Sequence, residues 1–235
     1  KQKVHKCAIA TATIHPERPE AMPFNTRLGA DHRSGSGPKD DMETMMTLHS
    51  PIALREATPA DAPALARLID IAGEGIPAWL WSQMATEGRS PIEVGEERAR
   101  RETGGFSWRN ALVAERDGKV AAMMLGYPIG EPSEAERAQV SDLPAPVRPF
   151  VELEHRAADS FYVNALATLP GRRGFGLGAA LMQAAEAKAK AQGISRMSIQ
   201  VYEQNTGAVR LYERLGYSHA ETRPVLSHPC QPYYD

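Results

Sequence analysis

Alternating apolar and polar residues are clearest in the middle of the chain, over residues 108–128. Two apolar runs there flank a polar turn that contains Asp117 and Gly118. An Asp-Gly pair between two alternating runs is the strongest local signal of a tight β-hairpin. The pattern therefore predicts two antiparallel strands in this region.

The segment before the hairpin predicts one strand followed by helices. Residues 52–57 alternate enough for a first strand, and Thr58 is a good helix N-cap with proline directly after it. Apolar spacing continues the first helix to about Ala72, and two more helices are predicted from Pro77 and Pro91. We expect this helical segment to determine substrate specificity.

The last third of the chain has a strand-loop-helix-strand pattern. From Ser160 the sequence contains the buried strand SFYVNALATL, the glycine loop GRRGFGLG, the helix GAALMQAAEAKAKAQ closed by Gly193, and the strand RMSIQVY. Asn205 is the predicted N-cap of a short helix, TGAVRLYERL, and YSHAETR is the next strand. Residues 129–158 are interpreted as an insertion with a short helix around EAERAQV.

The chain is long enough for one well-cored catalytic domain, which we place at residues 51–235. Residues 1–50 show no sustained apolar periodicity and include the polar run DHRSGSGPKDD. We interpret them as an N-terminal extension that is flexible or derived from an expression vector.

The composition is that of an ordinary globular protein, with 42% hydrophobic residues, 24% charged residues and a formal net charge of −2. Because the net charge is not strongly positive, nucleic acid is not the expected partner. No run approaches the roughly 18 apolar residues of a membrane span, and the start lacks a signal-peptide core, so we expect a cytoplasmic protein with no membrane partner. Cys7 and Cys230 are the only cysteines and build neither a disulfide framework nor a cysteine metal motif.

Three glycines, Gly174, Gly176 and Gly178, mark the entrance of the long predicted helix. Unpaired N–H groups and the helix dipole favour an anion at a helix start, so phosphate is the expected ligand. Glycine keeps side chains away from the phosphate oxygens, while Arg172 and Arg173 add positive charge. Taken alone, the glycine loop is equally consistent with a phosphate site and with a plain turn beside two solvated arginines. The sequence on either side of the loop therefore has to distinguish the two interpretations.

The loop and its flanks resemble the coenzyme A binding core of the GCN5-related N-acetyltransferases, over roughly residues 160–218. The matching segments are YVNALATLP, RGFGLG, SIQVY and NTGAVRLYERLGY. The resemblance implies a mixed α/β domain whose sheet is antiparallel at its start, flanked by helices, with the fourth and fifth predicted strands parallel and splayed apart. It also implies direct transfer of an acetyl group from acetyl-coenzyme A to an amine, without a metal.

The resemblance further implies which residues bind the cosubstrate and act on it. Those implied to bind are Leu166, Ala167, Thr168, Arg172, Arg173, Gly174, Phe175, Gly176, Leu177, Gly178, Asn205 and Tyr212. The loop amides would hold the pyrophosphate, and the strand before the loop would pair with the pantetheine arm like an added strand. The N–H of Ala167 is the candidate oxyanion donor, and Tyr212 the candidate acid that protonates the departing thiolate. Without the matching segments around them, Tyr212 would be interpreted as a packed helix residue and Asn205 as a simple N-cap.

The general base is less clearly marked, because members of the family use different carboxylates or water relays. Glu152 and Glu154 precede the first core strand and would point the same way if VELEH is extended, so one of them is our candidate. The remaining candidates are Asp159, a water relay from the face shared by Tyr162 and Asn164, and, less favoured, His155 and His219. The sequence does not identify the amine acceptor, and the candidates are a small-molecule amine, a polyamine, an amino acid, an antibiotic and a protein amine. A homodimer is a possible assembly.

Two functions from other classes remain as alternatives. A noncatalytic acetyl-coenzyme A sensor or interaction module would keep the same fold, although Tyr212 argues against it. A dinucleotide-binding oxidoreductase is suggested by Gly174, Gly176 and Ala179, which satisfy G-x-G-x-x-A. Against that alternative, residues 170–173 separate the glycines from the strand, and only one strand-helix-strand unit is clear. A P-loop kinase is excluded, because no G-x-x-x-x-G-K-[ST] occurs.

Overall fold

A seven-stranded mixed β-sheet forms the centre of the computed structural model, which describes residues 4–14 and 52–226. The strands are β1 (Val4–Thr13), β2 (Ala53–Glu56), β3 (Ala111–Arg116), β4 (Lys119–Ile129), β5 (Ser160–Thr168), β6 (Arg196–Tyr202) and β7 (Ser218–Leu226). Their order across the sheet is β2-β3-β4-β5-β6-β1-β7. Neighbours are antiparallel except β5 and β6, which are parallel. The expected mixed α/β fold with one central parallel pair is confirmed.

Helices cover both faces of the sheet. They are α1 (Ala62–Ala72), α2 (Ile76–Ser82), α3 (Pro91–Ala99), α4 (Glu134–Gln139), α5 (Arg148–His155), α6 (Leu177–Ala191) and α7 (Thr206–Arg214). One face packs against α6 and α7. On the other face, α1 and α3 cover β3, β4 and β5, whereas α5 covers β1, β5 and β7. A seam between these two groups of helices therefore lies above the centre of the sheet.

The β3–β4 hairpin forms where alternation predicts it. Asp117 has φ 55° and Gly118 has φ 68°, so both central residues of the turn are left-handed. This is the conformation that matches the twist of the flanking strands and that an Asp-Gly pair adopts readily. The predicted helix starts at Pro77 and Pro91 also lie within one residue of the observed starts of α2 and α3. Within residues 4–14 and 52–226, no helix combines the length and apolar character needed to cross a membrane.

The structure differs from expectation at the beginning of the chain. Val4–Thr13 forms β1, which lies between β6 and β7 and pairs antiparallel with both. Residues 7–10 are all buried, so this part of the expected 1–50 extension belongs to the core. The segment escapes a search for apolar alternation because its two buried faces carry mostly alanine and cysteine, which give no strong period. The rest of the 1–50 segment lies outside the described residues, apart from Ile14.

Candidate active site

The glycine loop enters α6 through two residues in the left-handed region. Gly174 has φ 83°, and Gly176, the N-cap of α6, has φ 79°. Leaving aside chain neighbours, no heavy atom lies within 4 Å of where a Cβ would stand on either residue, so the space beside the loop is open. Gly178 is instead packed, since a Cβ there would stand 3.3 Å from Leu211 Cδ2 of α7. This geometry suits a phosphate at the N-terminus of a long helix.

Charged and aromatic side chains flank the glycine loop. Arg172 Nη1 forms an ion pair with Asp117 Oδ2 at 2.6 Å, which ties the loop to the hairpin turn. Arg173 Nε donates to the backbone oxygen of Thr168 at 3.3 Å. Phe175 is 51% exposed, with the Arg116 guanidinium 3.7 Å from its ring centroid. Both loop arginines therefore lie beside the predicted phosphate site, but Arg172 already has a carboxylate partner.

Strands β5 and β6 separate after a short paired stretch. Their parallel pairing joins Phe161–Val163 to Met197–Ile199, and β5 then continues to Thr168 with no paired strand on that side among residues 4–14 and 52–226. On its other side β5 pairs with β4 through a register shift that leaves Asn164 without an opposite residue. Such a bulge bends a strand, so it accounts for the divergence of β5 from β6. The resulting gap is the place that an extended ligand can enter as an added strand.

The register of β4 and β5 determines which backbone groups of β5 face this gap. Leu169 N donates to Ala121 O at 2.9 Å, and the pairing shows no register shift over the last four residues of β5. Alternate residues of an antiparallel ladder direct both backbone groups to the same neighbour. Ala167 therefore directs its N–H toward β4, whereas Leu166 and Thr168 direct theirs into the gap. This corrects the expected oxyanion donor, because Leu166 rather than Ala167 has its N–H free of the β4 ladder.

A cluster of tyrosine and amide side chains lies beside the gap, on the face with the seam. It consists of Tyr127, Tyr162, Asn164 and Gln200, and we call it the tyrosine cluster. Asn164 Nδ2 donates to the Tyr127 hydroxyl at 3.3 Å, and Gln200 Nε2 donates to the Tyr162 hydroxyl at 3.0 Å. The two tyrosine rings meet edge to face, with centroids 6.0 Å apart. Burial raises the pKa of both tyrosines, so they stay protonated at neutral pH.

The two glutamates proposed from VELEH face different environments. The segment is not extended but forms the end of α5, where residues two apart lie on opposite sides of a helix. Glu152 is exposed and forms an ion pair with Arg223 at 3.4 Å. Glu154 is half-buried beside Tyr127 and Tyr162, and its negative charge raises the pKa of both tyrosines. Burial, assisted by the charge of Glu136, raises the pKa of Glu154 itself to about 7.

Sequence reasoning did not single out the buried carboxylate of Glu74. It lies in the turn between α1 and α2, is 3% exposed, and has φ 51°, which is unusual for a residue other than glycine. Its Oε1 has no hydrogen-bond partner among residues 4–14 and 52–226. Burial raises its pKa from 4.5 to about 7. The only signal in the sequence is its position between Gly73 and Gly75 at a helix end.

Asn205 and Tyr212 belong to the short helix on the opposite face. Asn205 Oδ1 accepts a hydrogen bond from Ala208 N at 3.2 Å, so Asn205 is the predicted N-cap of α7. Tyr212 is 5% exposed and packs in the same apolar cluster as Leu177 at the start of α6. Its ring lies 5.9 Å from that of Tyr217. The structure thus brings Tyr212 close to the helix that carries the glycine loop, and its role as an acid stays a prediction.

The remaining base candidates lie in less suitable places. Asp159 is exposed and precedes the paired end of β5, at the end of the strand away from the gap. His219 is exposed on β7, where its Nε2 lies 2.6 Å from Thr222 Oγ1. His155 ends α5 one residue after Glu154 and is half-buried. Of the expected carboxylates, Glu154 is the one that the structure brings to the seam.

Comparison with known proteins places this geometry in a family. The model of the acetyltransferase (GNAT) family matches residues 76–217. A GCN5-related N-acetyltransferase from Sphaerobacter thermophilus has a similar structure, with 17% identity, a TM-score of 0.53, and coverage of 100% of this chain and 55% of that chain. A polyamine N-acetyltransferase from Drosophila melanogaster is similar at 15% identity and a TM-score of 0.53, with coverage of 76% and 100%. An agmatine N-acetyltransferase is similar at 18% identity and a TM-score of 0.51, with coverage of 71% and 82%. These identities support the fold alone, and a search of curated proteins found no match.

Proposed function

We propose, from the premise that this chain belongs to the acetyltransferase (GNAT) family, that it transfers an acetyl group from acetyl-coenzyme A directly to a primary amine of a small molecule or peptide. One observation carries the proposal. The gap between β5 and β6 opens beside the glycine loop, and Glu154, a half-buried carboxylate, lies near Tyr127 and Tyr162 of the tyrosine cluster. The glycine loop suits a phosphorylated cosubstrate, and the Glu154 carboxylate suits an amine that must lose a proton.

The residues around the gap fit coenzyme A. The open, left-handed Gly174 and Gly176 admit phosphate oxygens to the amides at the start of α6. The unpaired edge of β5 presents the backbone groups of Leu166 and Thr168 to an extended arm. When bound, acetyl-coenzyme A would supply an activated acetyl thioester in this gap. Leu166 N–H would then donate to the oxygen that gains negative charge as the amine attacks.

Proton transfer is assigned to Glu154 and Tyr212. An alkyl ammonium has a pKa of about 10, so a group near the gap must help remove its proton at neutral pH. Glu154, with a pKa raised to about 7, is well matched to that task, directly or through a water molecule. Tyr212 lies near α6 on the other side of β5 and would return a proton to the departing thiolate. Asn205 orders the start of the helix that carries Tyr212.

The test combines binding with turnover. Acetyl-coenzyme A at a hundred times its dissociation constant should stabilise the fold by about 2.7 kcal/mol in a thermal-shift experiment, while NADH should not. Release of free thiol with a panel of primary amines then tests transfer. No stabilisation by acetyl-coenzyme A would contradict the proposal. Stabilisation by NADH instead would favour a dinucleotide enzyme, and stabilisation by acetyl-coenzyme A without thiol release would favour a sensor.

A further inference from the structure

We propose that Arg116, at the end of β3 beside the hairpin turn, is a further cosubstrate-binding residue that donates to a phosphate group of coenzyme A. The inference rests on the proposed function, since it adds a residue to the coenzyme side of the same site. Coenzyme A carries a pyrophosphate and a separate phosphate on its ribose, and the proposal covers both groups. It starts from the contacts between the β3–β4 hairpin turn and the glycine loop.

The hairpin turn and the glycine loop are joined by two side-chain contacts. Arg172 Nη1 forms an ion pair with Asp117 Oδ2 at 2.6 Å, and the Arg116 guanidinium carbon lies 3.7 Å from the ring centroid of Phe175. Phe175 is the residue between the two left-handed glycines of the loop. Arg116 therefore lies against the segment whose amides are proposed to hold phosphate, although it is distant from that segment in the sequence.

Arg116 lacks the counter-charge that Arg172 has. Arg172 is paired with the Asp117 carboxylate, so part of its charge is already compensated. Among residues 4–14 and 52–226, Arg116 has no carboxylate partner, and its Nε is buried without a hydrogen-bond acceptor. A guanidinium keeps its charge in proteins, and a buried donor without an acceptor is unfavourable. An anionic ligand beside the loop would supply both the missing charge and the missing acceptor.

The ring of Phe175 fixes how Arg116 presents its donors. A guanidinium is planar, and its N–H groups point outward in that plane. An aromatic ring stacked on its face therefore leaves the donors at its edge for a ligand. Phe175 is 51% exposed, and the space beside Gly174 and Gly176 is open, so a ligand can reach the loop next to Arg116. The stack thus holds a preorganised cation beside the proposed phosphate site.

Lys119 adds a second positive charge at the same place. It is exposed and pairs directly with Arg116 across the hairpin, so the two side chains project from the same face of the sheet. Leu112 and Ala114 of β3 pack in the apolar cluster with α6, so strand alternation places Arg116 and Lys119 on the α6 face. Like charges directly opposite each other destabilise a hairpin. A phosphate bound between or beside these cations would offset that repulsion.

The test measures coenzyme A binding to the free protein by titration calorimetry. Arg116→Gln should raise the dissociation constant by about 10- to 100-fold, the contribution expected of hydrogen bonds to a charged group. KM for acetyl-coenzyme A should rise by a similar factor while kcat is unchanged, because a phosphate remote from the thioester is bound equally before and during transfer. Arg109→Gln is the matched control. Arg109 also stacks on a ring, that of Trp108, but it is ion-paired with Glu102 and precedes β3 at the end away from the turn.

Dephospho-coenzyme A, which lacks the ribose phosphate, distinguishes the two phosphate groups. If Arg116→Gln weakens binding of coenzyme A but not of dephospho-coenzyme A, Arg116 binds the ribose phosphate. If it weakens both ligands equally, Arg116 binds the pyrophosphate. Each of these results supports the proposal. Unchanged dissociation constants for both ligands, as expected for the Arg109→Gln control, would overturn it.

A second variant and the salt dependence separate charge from packing. Arg116→Lys keeps the charge but loses the planar fork and the stack, so its affinity should lie between those of the wild type and Arg116→Gln. Because salt screens exposed charges, added salt should weaken binding more steeply in the wild type than in Arg116→Gln. A loss of affinity in Arg116→Gln with an unchanged salt dependence would mean that Arg116 only packs against the loop, which overturns the assignment while acetyl transfer stands. Failure of acetyl-coenzyme A to stabilise the wild-type fold would instead remove the proposed function itself.

Discussion

The two sides of the gap between β5 and β6 are built in different ways. The proposed coenzyme side comes largely from one continuous stretch, residues 160–178, and relies on glycines and main-chain groups, with Tyr212 as a side-chain contribution from α7. The proposed acceptor side is assembled from side chains of dispersed elements, namely Glu154 from α5, Tyr127 from β4 and Tyr162 from β5. A main-chain site needs a fixed local pattern, because the backbone must take one shape. A side-chain site needs only the right groups in space, so it leaves no continuous pattern in the sequence.

The largest effect should come from disturbing the main-chain side. Gly176→Leu places a side chain at a left-handed residue in front of α6, so we expect the stabilisation by acetyl-coenzyme A, about 2.7 kcal/mol at a hundredfold excess, to disappear. Gly193→Leu is the matched control, since Gly193 also has a positive φ, 74°, and open space around it. Both variants should lose similar intrinsic stability in thermal melts. Equal stabilisation of both by acetyl-coenzyme A would show that the glycine loop is only a turn.

On the acceptor side, Glu154→Gln should lower kcat/KM by about 10³-fold, within the range of a positioned general base. A base must be ionised to accept a proton, so wild-type activity should fall as the pH decreases below about 7, and the variant should lack that acidic limb. Glu152→Gln changes an exposed, ion-paired residue of the same helix and should keep the wild-type profile. A profile that Glu154→Gln leaves unchanged would assign proton removal to another group.

Tyr212→Phe tests the comparison between the main-chain and side-chain parts of the site, because Tyr212 is a proposed side-chain contribution on the coenzyme side. We expect turnover to fall by about 10²-fold, the lower end for a general acid, while acetyl-coenzyme A still stabilises the fold. Tyr217→Phe removes a hydroxyl from the neighbouring buried ring and serves as the control. If both variants turn over equally, with thiolate departure shown to limit the rate, Tyr212 is a packing residue.

The smallest effect concerns the stability of the free protein. The folded-state pKa of Glu74 is raised, so the protonated form favours folding, and this contribution is lost as the pH rises from 4.5 through about 7. Between pH 6 and 8 the wild type should lose about 1 kcal/mol of unfolding free energy that Glu74→Gln retains. Denaturant titrations at the two pH values measure the difference. An identical pH dependence in both proteins would mean that the Glu74 carboxylate is hydrated rather than buried.

This contrast also explains which features could be predicted from the sequence. The hairpin, the loop before α6 and the Asn205 cap follow from local rules, because glycine, Asp-Gly and Asn favour particular backbone shapes. The direction of the Leu166 and Ala167 amides depends on the register with β4, which changes if one residue is inserted at the bulge. An extended VELEH would point Glu152 and Glu154 the same way, yet the segment is helical with Leu153 packed in the core. A short apolar segment of this kind is compatible with both the helical and the strand period, and packing against the rest of the protein determines which one forms.

The position of β1 has a consequence for how the protein is made. This strand leaves the ribosome before the other six strands of the sheet, but its neighbours β6 and β7 begin at Arg196 and Ser218, about 180 residues or more later. At about 5–20 residues per second, β1 waits roughly 10–40 s before its partners exist. Pairs so distant along the chain also slow the final closure of the sheet. The sheet that carries the gap is therefore completed only after β7 has been synthesised, and the proposed transferase activity should emerge only from that point on.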